Sequence, residues 1–80
     1  MTINNAVARR IIKLMNEKDF TQYKLEQKSG IAHGAMDRIF AEKNKTITLT
    51  TLYKIVDAFD MTIQEFLDDK IFDKNNVDYN

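Results

Sequence analysis

Eighty residues with no cysteine and no proline make one small domain that must hold together without disulfides or thiolate-bound metal. Twelve basic and twelve acidic side chains cancel, which excludes a uniformly basic nucleic-acid binder. The opening MTINNAVARRIIKLMNEKDF lacks the pattern of a secretory signal, and no window approaches the ~20 apolar residues of a membrane helix, so a soluble, cytoplasmic chain is expected.

Helical periodicity dominates the chain. Val7, Ile11, Leu14 and Met15 form one apolar stripe with Arg9, Arg10, Lys13 and Glu17 outside it, predicting a first helix over about 5–18 capped by Asn4 or Asn5. Thr21 is a good N-cap for a second helix over about 21–28, with Leu25 pointing inward. Gly30 stands where that helix must end with positive φ, which glycine adopts without steric cost. A third helix follows over about 32–41, with Met36 and Ile39 on its inner face and Gly34 weakening its first turn. After a polar loop, Thr48 caps a fourth helix over about 49–59, in which Leu52, Ile55, Val56 and Phe59 recur at helical spacing. Thr62 and Glu65 have the spacing of a capping box, with Met61 and Phe66 as its hydrophobic staple, so a fifth helix is expected over about 62–69. The tail, residues 70–80, is either disordered or docked through Ile71, Phe72 and Tyr79 on the body or a second subunit. Thr46 to Leu49 alternates, but is too short and isolated to found a sheet.

The second and third helices, with the tight Ser29-Gly30-Ile31 turn between them, have the shape of a helix-turn-helix, whose second helix is offered to a DNA groove. Charge falls in the same place. Residues 1–45 hold nine Lys or Arg against five Asp or Glu, whereas residues 46–80 hold three against seven. The basic half is the expected polyanion-facing side.

From Phe20 to Leu67 the chain resembles the DNA-binding domain of the phage repressor/Cro (Xre-type) family, through FTQYKL, SGIAHGAMDRI and LTTLYKIVDAFDMTIQEFL. The resemblance implies an all-α, compact five-helix repressor-like domain over residues 1–69. Two departures stand out. Many members pair an Arg near the end of the first helix with a Glu after the third, and here Met15 and Phe40 replace both. Losing both partners together strands no charge, and apolar packing in place of a buried ion pair is often neutral or stabilising. Glu26 stands where alanine is usual, with its carboxylate expected to reach along the helix edge into water.

Carried over position by position, the resemblance implies DNA contacts from Thr21, Gln22 and Tyr23 at the start of the second helix, with Gln22 facing a phosphate or the third helix. Ala32, His33, Gly34, Asp37 and Arg38 of the third helix face the groove. Arg38 can fork onto guanine O6 and N7, and His33 can donate to a base or phosphate. Gly34 and Ala35 allow close backbone approach. Asp37 is awkward beside phosphates and is expected to orient Arg38 first, and to accept from cytosine N4 second. Lys43, Asn44 and Lys45 suit phosphate contacts, with Arg10, Lys13 and Lys28 as weaker candidates.

Few phosphate contacts make a single domain a weak binder, so a homodimer on a palindrome is expected, with Ile63, Phe66, Ile71 and Phe72 as interface candidates; Phe66 is more simply read as core. Double-stranded DNA is thus the expected partner, with no cofactor, metal, membrane or small-molecule ligand. One serine, one histidine and no glycine-rich phosphate loop offer no enzyme site. The expected role is a small transcriptional repressor. The competing reading is a protein-binding module on the same fold, an antirepressor or antitoxin-like adaptor, which neutral charge, Glu26, Asp37 and the bare Gly34-Ala35 favour.

Overall fold

The computed structural model describes residues 1–43 and 46–78. Five α-helices carry the fold: α1 (Ile3–Lys18), α2 (Gln22–Ser29), α3 (His33–Phe40), α4 (Leu49–Ala58) and α5 (Ile63–Leu67). A 3-10 turn, Lys70–Phe72, follows. There is no strand among the described residues; Thr2 and Asp78 form one isolated bridge.

Threonine hydroxyls begin four of the five helices. Thr2, Thr21, Thr48 and Thr62 each accept from a backbone N–H three residues on, satisfying a donor that has no partner within the helix. At Thr62 the arrangement is reciprocal, with Glu65 returning to the Thr62 N–H at 2.9 Å. The cap of α1 is Thr2 instead of Asn4 or Asn5. Asn4 instead lies inside the helix and is buried, on the face that Val7, Ile11 and Leu14 turn inward.

One core joins all the helices. Leu25 of α2, Met36 of α3, Ile55 of α4 and Phe66 of α5 are fully buried around Ile11 of α1. α4 packs along α2 and against α5, and the Phe20 and Phe59 rings meet at 5.1 Å, closing one end of the core. Met15 and Phe40, the apolar pair in place of an ion pair, are half-buried against this core and line one recess of about 220 Å³ with Phe20.

Arg10 is the main correction to the surface expected of α1. Its side chain is only 8% exposed. Nε donates to the Phe66 carbonyl at 2.8 Å and Nη2 to the Glu65 carbonyl at 3.1 Å, so the guanidinium caps the end of α5, sharing the Glu65 carbonyl with the Asp68 N–H. Nη1 lies 3.3 Å from Asp69 Oδ2, which also accepts from Lys13 Nζ at 2.8 Å. A phosphate contact from Arg10 is ruled out by this burial.

The tail also differs from a disordered segment. Asp69 accepts from the Ile71 N–H and so caps the 3-10 turn, which packs on α1. Phe72 sets its ring 5.9 Å from Phe66, and the Asp78 N–H donates to the Met1 carbonyl at 2.9 Å. From Lys70 to Asp78 the chain is therefore held by its own body. Phe66, 0% exposed, cannot line a dimer surface while the core is intact. Tyr79 lies outside the described residues.

Candidate nucleic-acid interface

Backbone chemistry sets the angle at which α3 leaves α2. Gly30 takes φ +73° and donates to the Glu26 carbonyl at 2.9 Å, ending α2. Ser29 Oγ accepts from the Ile31 N–H at 3.2 Å, tightening the turn. Ala32 is extended and offers no side-chain cap to α3. Met36 and Ile39 then anchor α3 in the core, and His33, Gly34, Ala35, Asp37 and Arg38 are left exposed.

Four side chains from α2 and α3 form a polar network on this face. Gln22 Nε2 donates to Glu26 Oε2 at 2.8 Å and to Asp37 Oδ1 at 2.7 Å. His33 Nδ1 lies 2.8 Å from Glu26 Oε2, and His33 Nε2 lies 3.2 Å from Asp37 Oδ2. The Glu26 hydrogen bond, then the charges of Asp37 and Glu26, hold the imidazole pKa above its ordinary value.

Several expectations change on this geometry. Glu26 does not reach into water; its side chain is 11% exposed and held between the helices by Gln22 and His33. Charge-assisted bonds to both explain why a carboxylate replaces a small residue there. Gln22 faces the third helix, with its amide nitrogen committed to two carboxylates. Both ring nitrogens of His33 are likewise engaged. Asp37 meets Gln22 and His33 across the two helices.

The remaining site residues surround the network. Thr21 is exposed, with Oγ1 accepting from the Lys24 N–H, and Tyr23 beside it is 69% exposed. Arg38 is exposed on the outer face of α3. Lys43 is exposed after α3, its N–H tied to the Arg38 carbonyl at 3.1 Å. Asn44 and Lys45 lie outside the described residues. Glu42, which precedes Lys43, pairs with Arg9 of α1 at 3.5 Å. Beyond Gln22 facing the third helix, the α2–α3 network is not expected from the sequence. The only sequence signal was the four-residue spacing of Gln22 and Glu26 and of His33 and Asp37, which places each pair on one helix face.

Among the described residues no cluster of metal-ligating side chains occurs, and no helix is long and apolar enough to cross a membrane. Residues 10–70 match the family model of the Cro/C1-type HTH DNA-binding domain. No curated protein and no solved structure matches the chain.

Proposed function

Because this chain belongs to the Cro/C1-type helix-turn-helix DNA-binding family, we propose that it is a small transcriptional repressor that binds a palindromic operator as a homodimer. The observation that carries this reading is the anchoring of α3: Met36 and Ile39 are buried while Gly34, Asp37 and Arg38 face outward with Lys43 beside them. A helix held this way can enter the major groove with its position set by the core. Arg38 reads a base edge, and Lys43 and Lys45 hold phosphates. Thr21 and Tyr23 approach the backbone at the start of α2. Repression then follows from occlusion of the operator.

The dimer contact draws on Ile63 and Ile71, which are half-buried, and on Leu67, which is 43% exposed. Leu67 and Ile3 flank a recess of about 370 Å³ lined by Val7, Ile47 and Leu52. Two copies joined there would read half-sites about one helical turn apart.

Fluorescence anisotropy across a random-sequence duplex library, at low and moderate salt, tests the reading. Enrichment of a two-fold site and a steep salt dependence are expected. Arg38→Ala should cost about 1–3 kcal/mol of binding and relax the preference at its base. Lys43→Ala and Lys45→Ala should weaken all sequences alike, each lowering the log–log salt slope by about 0.9. The two carboxylates within the α2–α3 network favour a second reading, a protein-binding adaptor. No enriched site and a flat salt slope would select it.

A further inference from the structure

We propose that His33 is a positioning residue for DNA binding, whose imidazolium clasps α2 to α3 across Glu26 and Asp37 and cancels part of their charge on the groove-facing side. This inference rests on the DNA-binding reading above. It assigns His33 a role other than base readout.

A neutral imidazole has one N–H and one lone pair, whereas the imidazolium has two donors and no lone pair. In this structure both nitrogens face carboxylate oxygens, Glu26 Oε2 at 2.8 Å and Asp37 Oδ2 at 3.2 Å. Only the protonated ring turns an N–H toward each, hydrogen-bonding Glu26 and pairing by charge with Asp37. A neutral ring would aim its lone pair at one carboxylate and would have to release it. Gln22 closes the circle by donating to the same two carboxylates. The clasp thus joins the helix that sits on the backbone to the helix that enters the groove.

Charge bookkeeping on that face points the same way. The charged groups against the ring are Glu26 from α2 and Asp37 from α3, and Gln22 of α2 is the neutral member of the network. With His33 protonated the four side chains carry one net negative charge; with it neutral they carry two. His33 is the first residue of α3, where the helix dipole disfavours a cation. The two carboxylates act against that effect, raising the pKa of the ring. The side chain is 71% exposed, so it exchanges protons with solvent without any opening of the domain.

His33 is also the only histidine, and the chain has no cysteine. Two measurements separate the outcomes. The first follows the single imidazole by proton NMR in the free protein, in wild type and Glu26→Gln. A midpoint above the ordinary ~6.5 that falls in the variant is expected; a midpoint at or below it in wild type overturns the clasp. The second measures anisotropy of a labelled duplex at fixed salt near pH 6 and near pH 8. Wild type should bind about two- to five-fold more weakly at the higher pH, the scale of one exposed ion pair. His33→Gln should remove that response, and Glu26→Gln should strengthen binding at the higher pH. A wild-type pH response retained by His33→Gln arises outside His33 and overturns the proposal. Absence of duplex binding at both pH values overturns the DNA reading and the pH effect with it, while the free-protein titration still decides whether the clasp exists.

Discussion

Two clusters of charged side chains tie the helices together, and their polar contacts are much alike in length. Arg10, Lys13 and Asp69 join α1 to the turn after α5 at 2.8–3.3 Å. Gln22, Glu26, His33 and Asp37 join α2 to α3 at 2.7–3.2 Å. Burial separates them. The contrast lies in the cations that hold them: each cluster has one shielded carboxylate, Asp69 at 14% and Glu26 at 11% exposed, but Arg10 is 8% exposed and His33 71%. A charge withdrawn from water cannot be left alone, so removing either Arg10 or Asp69 from the first cluster is costly to the fold. Screened by solvent, the His33 charge in the second is worth little to folding and is free to change with pH or with a bound polyanion. Similar chemistry serves a structural role in one place and an adjustable role in the other.

The largest expected effect breaks the buried cluster. Arg10→Ala removes the donor that serves the Glu65 and Phe66 carbonyls and takes one cation from Asp69. The cost should be about 3 kcal/mol, read from the midpoint of urea denaturation. Should Glu26→Gln prove as costly as Arg10→Ala, the distinction by burial would be lost.

Asp69→Asn should cost less, about 1–2 kcal/mol, because an amide oxygen can still cap the Ile71 N–H while the ion pairs are lost. The pH profile then sharpens the contrast between clusters. The Lys13 hydrogen bond, then the Ile71 N–H, and more weakly the charges of Lys13 and Arg10, hold the Asp69 carboxyl below its ordinary pKa. Its contribution is present above that ordinary value, ~3.9, and is lost as pH falls through the lower folded value. His33 runs the other way. Its folded pKa is raised, so its contribution is complete below ~6.5 and is lost as pH rises through the folded value. Denaturation midpoints from acid to neutral pH should lose part of their acid fall in Asp69→Asn. Glu65, held low by the Thr62 N–H, would supply part of what remains.

The sequence carried the α-helical architecture because its signals are local. A cap needs only a threonine and a free N–H three residues on, so Thr21, Thr48 and Thr62 were legible; the turn at Gly30 was legible because positive φ selects glycine. Arg10 was misread although its spacing was informative: it lies three residues after Val7 and four before Leu14, within the apolar stripe. Its charge argued for the surface, and the partners that decide otherwise lie 55–56 residues away, at Glu65 and Phe66. Asn4 shares that stripe, seven residues before Ile11. The α2–α3 network was hidden for a related reason, since spacing gives the pairs within a helix but not the approach of one helix to the other. The sequence leaves the tail between disorder and docking because its anchors, Asp69 to Lys13 and Phe72 to Phe66, are tertiary.

The smallest expected effect bears most directly on the exposed face. Gly34 has ordinary φ and nothing within 4 Å of the place a Cβ would occupy, so neither backbone geometry nor packing within the chain calls for glycine. Its place in the first turn of α3 costs about 0.5 kcal/mol relative to alanine, toward the low end for a helix because only one turn is affected. What glycine offers there is room for something outside the chain to approach the backbone. Gly34→Ala should therefore stabilise the domain by about 0.5 kcal/mol in urea denaturation while weakening duplex binding. A change that helps folding and harms binding marks a position shaped by its partner. Stabilisation with unchanged binding would remove Gly34 from the interface and leave Arg38 and Lys43 to carry recognition.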